Sequence, residues 1–245
     1  MRIDNNIKAI NNILAGNASS NSPANIAINE GLKAKEKGFN QAINNTKDSI
    51  NLANTAEGAL NTVNDSLQSI KELAIQASNG TLNNDDKVAI QNQIEGLKSS
   101  IKDTLKNTDF NTIKVLDNGY DGNVQNSPNA NQSENMKIET TTLDTIGIKD
   151  FNVLDSNFDI GKIDSAIDKI TKSRTEIGAK VNSLETSIQS NQVARENTLS
   201  AKESLSDDIA SQMMDLKKSQ ILQQFKNFAQ TNKIPTNNSA LNLLG

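Results

Sequence analysis

Histidine, cysteine and tryptophan are absent from this 245-residue chain, and each absence removes a class of chemistry. Without histidine the commonest general base and the usual zinc ligand are missing. Without cysteine there are no disulfide staples and no thiolate nucleophile, a composition compatible with either redox compartment. Aromatics make up only 3% and hydrophobic residues 35%. That is too little for a thick globular core, so the apolar residues must lie on narrow seams between helices. No apolar run is long enough to cross a bilayer, and residues 1–30 lack the continuous apolar stretch of a secretory signal peptide. The net charge of −4 comes from interspersed acids and bases, not from the clustered basic face that nucleic acid requires. Neither nucleic-acid binding nor membrane insertion is therefore expected. Proline is scarce too: Pro23, Pro128 and Pro235 fall where a helix has to stop, leaving two long proline-free arms.

What is present is periodicity. In the second arm Ile163, Ile167, Ile170, Arg174, Ile177, Val181, Leu184 and Ile188 step by alternating fours and threes, the spacing of a coiled-coil seam. The pattern falters over 191–202, resumes at Leu205, Ile209, Met213 and Leu216, and shifts phase through Ile221, Phe225 and Phe228. One helix cannot bury such a stripe against itself, so another arm or another chain must cover it.

The first arm supplies a partner. Ile43, Thr46, Ile50, Ala53, Glu57 and Leu60 carry one seam over 26–78, continued by Val63, Leu67, Ile70, Ala74 and Ala77. Asn79-Gly80 is expected to end this helix through a left-handed glycine. Asn83, Asn84 and Asp85 then cap a third helix bearing Ile90, Ile94, Leu97, Ile101 and Leu105, folded back through a short turn. Ahead of these, Ile3, Ile7, Ile10 and Leu14 describe a short amphipathic helix, and 15–25 reads as a loop. Residues 107–160 change character. Tyr120-Asp121-Gly122-Asn123 reads as a turn, and alternation over 112–116 and 136–140 predicts a small β-hairpin region. The fold class is thus mainly α, a long antiparallel helical coiled-coil bundle with a small β-hairpin region.

Several residues invite sharper readings. Asp85-Asp86 and Asp207-Asp208 are paired carboxylates, but neighbours on a helix point about 100° apart and cannot converge on one bond, so they read as capping and solvation. Gly178 inside the long helix marks either close approach of a neighbour or plain tolerance. Arg174 within its seam either pairs with Glu57, which breaks the other seam, or snorkels to solvent. No catalytic, metal-binding or cofactor-binding residue is assigned.

The two arms resemble the bacterial flagellins. TAEGALNTVNDSLQSIKELAIQASNGT (55–81), DDKVAIQNQIEGL (85–97) and TDFNTIKVLD (108–117) resemble that family's N-terminal signature in its order. SRTEIGAKVNSLE (173–185) and ENTLSAKESLSDDIASQMMDLKKSQILQQ (196–224) resemble its C-terminal arm. Three departures stand out. Only residues 1–14 precede AGNASSNSPANIAI (15–28), where the family's first helix runs longer. The Arg-Ile-Asn and Asp-Asp of the family's loop have no clear counterpart, and the family's glycine after Phe-Asn is Thr112 here.

The resemblance implies a structural, non-enzymatic subunit of the bacterial flagellar filament, a homo-oligomer for motility, of a short type lacking a large middle insert. It implies an end domain from 1–28 and 200–245, rod helices over 29–106 and 161–199, and a β/loop region over 107–160. Self-assembly would use Ile3, Ile7, Ile10, Ile209, Met213, Leu216, Ile221, Phe225 and Phe228. It also implies secretion to the extracellular flagellum through the flagellar type III channel without a cleaved signal peptide, and partners in an export chaperone, a cap and hook-junction proteins. Sugars, where the family carries them, would go to outer residues such as Ser127, Ser133 and Thr140 to Thr142. An innate immune receptor that reads many flagellins would meet slots at Gln68, Ser69, Leu73 and Gln93; with Ser69 where the family has an arginine, weak binding is expected. The alternatives are a hook–filament junction protein and, from a different class, a coiled-coil signalling or adaptor protein.

Overall fold

A computed structural model describes residues 23–130 and 132–231. Helix α1 (Pro23–Ala77) is followed by α2 (Asn84–Asn107), then strands β1 (Asp109–Phe110), β2 (Ile113–Lys114), β3 (Tyr120–Val124) and β4 (Glu134–Ile138). A single-turn helix α3 (Leu143–Ile146) and the 71-residue helix α4 (Gly161–Thr231) complete the chain. The short helix expected over Ile3 to Leu14, and with it Ile3, Ile7 and Ile10, lies outside the described residues.

The helix boundaries follow from local chemistry, with two corrections. Pro23 opens α1, so the loop expected over 15–25 yields its last three residues to the helix. Proline is tolerated there because the first-turn N–H groups have no intrahelical acceptor and its φ is already helical. At the other end Gly80 is not left-handed; among the described glycines only Gly119 and Gly147 have positive φ. Tight backbone bonds close the end instead, Ser78 N–H to Ala74 O and Asn79 N–H to Gln76 O, both 3.1 Å. The Asn83 side chain then accepts from Asp86 N–H at 2.8 Å while the Asp86 carboxylate accepts from Asn83 N–H at 3.2 Å, a reciprocal capping box that starts α2.

The chain forms two compact units. One draws on the end regions, described over 23–37 and 194–231; the other spans Gly38–Val193. In the second unit the seams predicted from spacing are buried: Leu60, Val63, Leu67 and Ile70 on α1, Ile90, Ile94, Ile101 and Leu105 on α2, and Ile163, Ile170, Ile177 and Leu184 on α4. Every seventh residue of α4 is fully buried there, while Ile167, Val181 and Ile188 between them are only half-buried, as expected of a seam that is narrow. Lys71 meets Asp164 at 2.6 Å and Glu57 meets Arg174 at 2.7 Å, so within this unit α1 and α4 run antiparallel.

The β region holds a third correction. Tyr120 to Asn123, turn-like by composition, is strand: Tyr120 pairs with Ile138, Gly122 with Met136 and Asn123 with Asn135. The Tyr120 ring folds over Gly122, where any Cβ would collide with the ring hydroxyl, so glycine is used here for close approach and not for turning. Val124, Met136 and Ile138 bury beneath the pair. The connecting loop lies on the helices: Asn45 Nδ2 donates to Gln125 O at 3.2 Å, and Asn191 Nδ2 to Asn126 O at 2.7 Å. Segment 147–160 returns along α2. Gln91 Oε1 accepts from Val153 N–H at 2.8 Å, Gln91 Nε2 donates to Glu95 Oε1 at 2.8 Å, and Lys98 Nζ donates to Glu95 Oε1 at 2.9 Å and Phe151 O at 3.3 Å. Gln91 and Lys98 are both buried, and this network satisfies polar groups that would otherwise be costly there.

Candidate functional site

Two surfaces stand apart from the packed seams. The first is on the unit made from the chain's end regions. There Lys202 Nζ reaches Glu36 Oε2 at 3.1 Å, and Thr198 turns its hydroxyl back to Ala194 O at 2.8 Å. Beyond this polar stretch α4 again carries apolar residues, now facing water: Met213 is 42%, Met214 67% and Ile221 58% exposed. Ile209 and Leu216 are half-buried. Met214, Lys217, Lys218, Ile221 and Leu222 line one shallow, mostly apolar hollow, with two lysine stems at its margin. On α1 of the same unit, Ile26 and Ile28 are exposed at 54% and 52%. Phe225 and Phe228 lie within α4, but their side chains are outside what the structure describes.

The spacing missed three of these residues. Ile26 and Ile28 stand two apart and so fall on no single helical stripe. Met214 follows Met213 by one position, about 100° around the helix, and is nevertheless the most exposed of the group. Exposure alone reveals Ile26 and Ile28, whereas Met214 is also marked by the family resemblance, which places Met213 and Met214 together in a subunit contact.

The second surface is a groove of about 560 Å3 between α1 and α2 in the other unit. Ser69, Glu72, Leu73 and Gln76 line it from α1, and Gln93, Gly96 and Leu97 from α2. Three of the four receptor-like positions, Ser69, Leu73 and Gln93, therefore converge on it, whereas Gln68 is exposed and outside the lining. Ser69 Oγ donates back to Asp65 O at 3.2 Å, and Glu72 is the only charged residue of the lining. Nothing cationic is offered to a ligand. Away from the groove, Lys137 is held above its ordinary value chiefly by its hydrogen bond to Glu139 at 2.6 Å, on the open surface. Among the described residues no group of three Asp or Glu side chains is placed to hold a metal ion, and no helix is long and apolar enough to cross a membrane.

Of the hydroxyls named as sugar acceptors, Thr141 is buried with its Oγ1 donating to Glu139 O, and Thr142 caps α3; Ser133 and Thr140 remain exposed.

Residues 8–121 match the bacterial flagellin N-terminal helical region and residues 160–244 the bacterial flagellin C-terminal helical region. The chain belongs to the bacterial flagellin family. It is 34% identical to a flagellin of Halalkalibacterium halodurans, covering 93% of this chain and 88% of that one. It is 30% identical to the flagellin of Bacillus subtilis over 97% and 98% of the two chains. A flagellar filament 31.3 kDa core protein of Treponema maltophilum is 30% identical over 85% and 80%. The crystal structure of Bacillus cereus flagellin superposes with a TM-score of 0.55 at 27% identity, covering 60% of this chain and 88% of that chain. A putative flagellar hook-associated protein from Vibrio parahaemolyticus reaches a TM-score of 0.63 at 15% identity, covering 76% and 99%, which shows a common fold alone. This flagellin is a structural subunit of the flagellar filament, of a short type in which residues 122–159 separate the two matched regions. Its family is a structural one, and its homologues form the extracellular filament by self-assembly.

Proposed function

We propose that this flagellin polymerises through the apolar faces of its two end regions, Ile3, Ile7 and Ile10 from one and Ile209, Met213, Leu216, Ile221, Phe225 and Phe228 from the other. The observation that carries the reading is the run of exposed apolar side chains at Met213, Met214 and Ile221. A contiguous apolar face left in water marks a surface that another chain covers. Each added subunit would remove that face from water at ~25 cal/mol per Å2, which offsets the entropy of ordering the ends. The contact is head-to-tail between unlike surfaces, so it does not close and extends as a filament. On this reading 1–28 and 200–245 form the end domain, 29–106 and 161–199 the rod helices, and 107–160 the β/loop region. The chain leaves the cell through the flagellar type III channel without a cleaved signal peptide, in contact with an export chaperone, and meets cap and hook-junction proteins during assembly.

The test is Ile221→Asp in the full chain, with a fragment of residues 30–200 beside it. An exposed isoleucine tolerates charge in the monomer, so the variant should melt as the parent does. A charge placed in a packed apolar contact costs several kcal/mol, so its filament yield in sedimentation should collapse. The fragment should keep a cooperative helical melt by circular dichroism and form no filaments. Parent-like filaments from Ile221→Asp would place assembly elsewhere, and loss of helix in the fragment would show that the ends belong to the fold.

A further inference from the structure

Two Asn-Gly dipeptides stand in turns, Asn79-Gly80 between α1 and α2 and Asn118-Gly119 between β2 and β3, and their surroundings differ. Asparagine followed by glycine is prone to one intramolecular reaction. The glycine backbone nitrogen attacks the asparagine Cγ, the side-chain nitrogen leaves as ammonia, and water opens the resulting succinimide to aspartate or isoaspartate. The step requires the main chain to swing the glycine nitrogen onto Cγ. Glycine allows that swing best because it has no Cβ to obstruct it, unless the fold holds it still.

Gly80 is free to move. Beyond its two chain neighbours, no heavy atom of the described residues lies within 4 Å of where its Cβ would be. Among the described residues no hydrogen bond takes up its N–H, while Asn79 N–H and Leu82 N–H on either side are engaged at 3.1 and 3.2 Å. The Asn79 Oδ1 accepts from Thr81 N–H at 3.2 Å and from Thr81 Oγ1 at 3.0 Å, which draws electron density off Cγ and makes it more open to attack. Gly119 is wedged. It is held at φ 71°, and a Cβ there would lie 2.9 Å from Ile138 O, 2.9 Å from Thr140 Oγ1 and 3.0 Å from Thr140 N. Tyr120, the next residue, is already paired with Ile138 in the β3–β4 ladder.

We propose that Asn79 is a site of hydrolytic deamidation in the folded subunit and that the fold protects Asn118, which carries the same dipeptide. The aspartate product keeps an acceptor for Thr81 but adds a negative charge just past the C-terminus of α1, where the helix dipole disfavours it. The isoaspartate product lengthens the main chain by one methylene in the turn that joins α1 to α2.

The full-length chain, incubated in warm, mildly alkaline buffer and sampled by peptide mass mapping, tests this. Asn79 should convert at least roughly tenfold faster than Asn118, a barrier difference of about 1.4 kcal/mol. In denaturant, where only the shared dipeptide matters, the two rates should converge. Gly80→Ala, for which the structure has room, should slow Asn79 and leave Asn118 unchanged. Equal rates in the folded chain, a ratio that survives denaturant, or an unslowed Asn79 in a folded Gly80→Ala chain would each overturn the proposal.

Discussion

Arg174 donates from both Nε and Nη2, at 3.1 and 2.7 Å, to a single oxygen of Glu57, joining α4 to α1 across a largely apolar seam. Each of these residues breaks the stripe of its own helix, and each break faces the other. The pair is 30% and 41% exposed at its side chains, so water screens it and its contribution is modest. A double-mutant cycle with Arg174→Met and Glu57→Gln should return a coupling of about 0.5–1 kcal/mol, shrinking as salt is added. A coupling near zero at low salt would mean that the guanidinium merely lies along the seam.

The helix glycines should respond to alanine with opposite signs. At Gly178 an added Cβ meets nothing within 4 Å, so plain tolerance, not close helix approach, accounts for this residue. Gly178→Ala should stabilise the protein by about 1 kcal/mol, the usual penalty of glycine in a helix interior. At Gly38 the same Cβ would sit 2.7 Å from Pro128 Cβ. Relief of that clash requires the docked loop to shift, and Gly38→Ala should destabilise by about 1–3 kcal/mol. Denaturant melts of the two variants decide both signs at once.

These residues show where the sequence was readable. Apolar spacing located the seams of α1, α2 and α4, and the capping types Asn83, Asn84 and Asp85 marked the start of α2, because helix period and capping are local properties. The two interruptions at Arg174 and Glu57 left pairing and snorkelling both open, and the structure decides for the pair. Spacing could not show that Gln91 and Lys98 turn inward to bind the main chain at Val153 and Phe151, since polar residues on a helix ordinarily face water. Nor could composition show that Tyr120 to Asn123 is extended, because ladder pairing with Glu134–Ile138 and the Tyr120 ring over Gly122 override turn propensity. At the candidate sites, the convergence of Ser69, Leu73 and Gln93 on one groove follows from the α1–α2 hairpin, whereas the exposure of Ile26, Ile28 and Met214 has no periodic signature.

Thr112 occupies a position that the turn reserves for another residue. Asn111 and Thr112 join β1 to β2 with φ of 49° and 69°, and a two-residue hairpin of that kind favours Asn followed by Gly. Asparagine is suited to the first position, but a β-branched side chain at the second is strained. Thr112→Gly should therefore stabilise the chain by about 1 kcal/mol, the relief of left-handed strain exceeding the entropy that glycine adds to the unfolded state. Thermal melts at matched concentration measure it. An unchanged or lowered midpoint would show that the threonine side chain makes a compensating contact.

The groove between α1 and α2 sets the expectation for immune sensing. By resemblance, a receptor reading flagellin at Gln68, Ser69, Leu73 and Gln93 would meet an arginine where this chain has Ser69. The Ser69 hydroxyl is turned back to Asp65 O, and the lining offers Glu72 but no cation. An interfacial arginine is commonly worth ~2 kcal/mol or more, and serine cannot replace its planar fork of donors. Receptor activation by the native chain should accordingly be weak. Ser69→Arg, on a half-buried rim with Glu72 three residues on, should leave the helix intact and raise potency in a reporter-cell assay by about thirtyfold if the full ~2 kcal/mol is regained. Gln68→Ala supplies the complementary reading. Gln68 does not line the groove with the other three, so a receptor seated only in the groove would be indifferent to its loss, whereas one spanning the α1 face would weaken. Full potency of the native chain, or a Ser69→Arg chain no more potent than its parent, would remove the groove from any account of recognition.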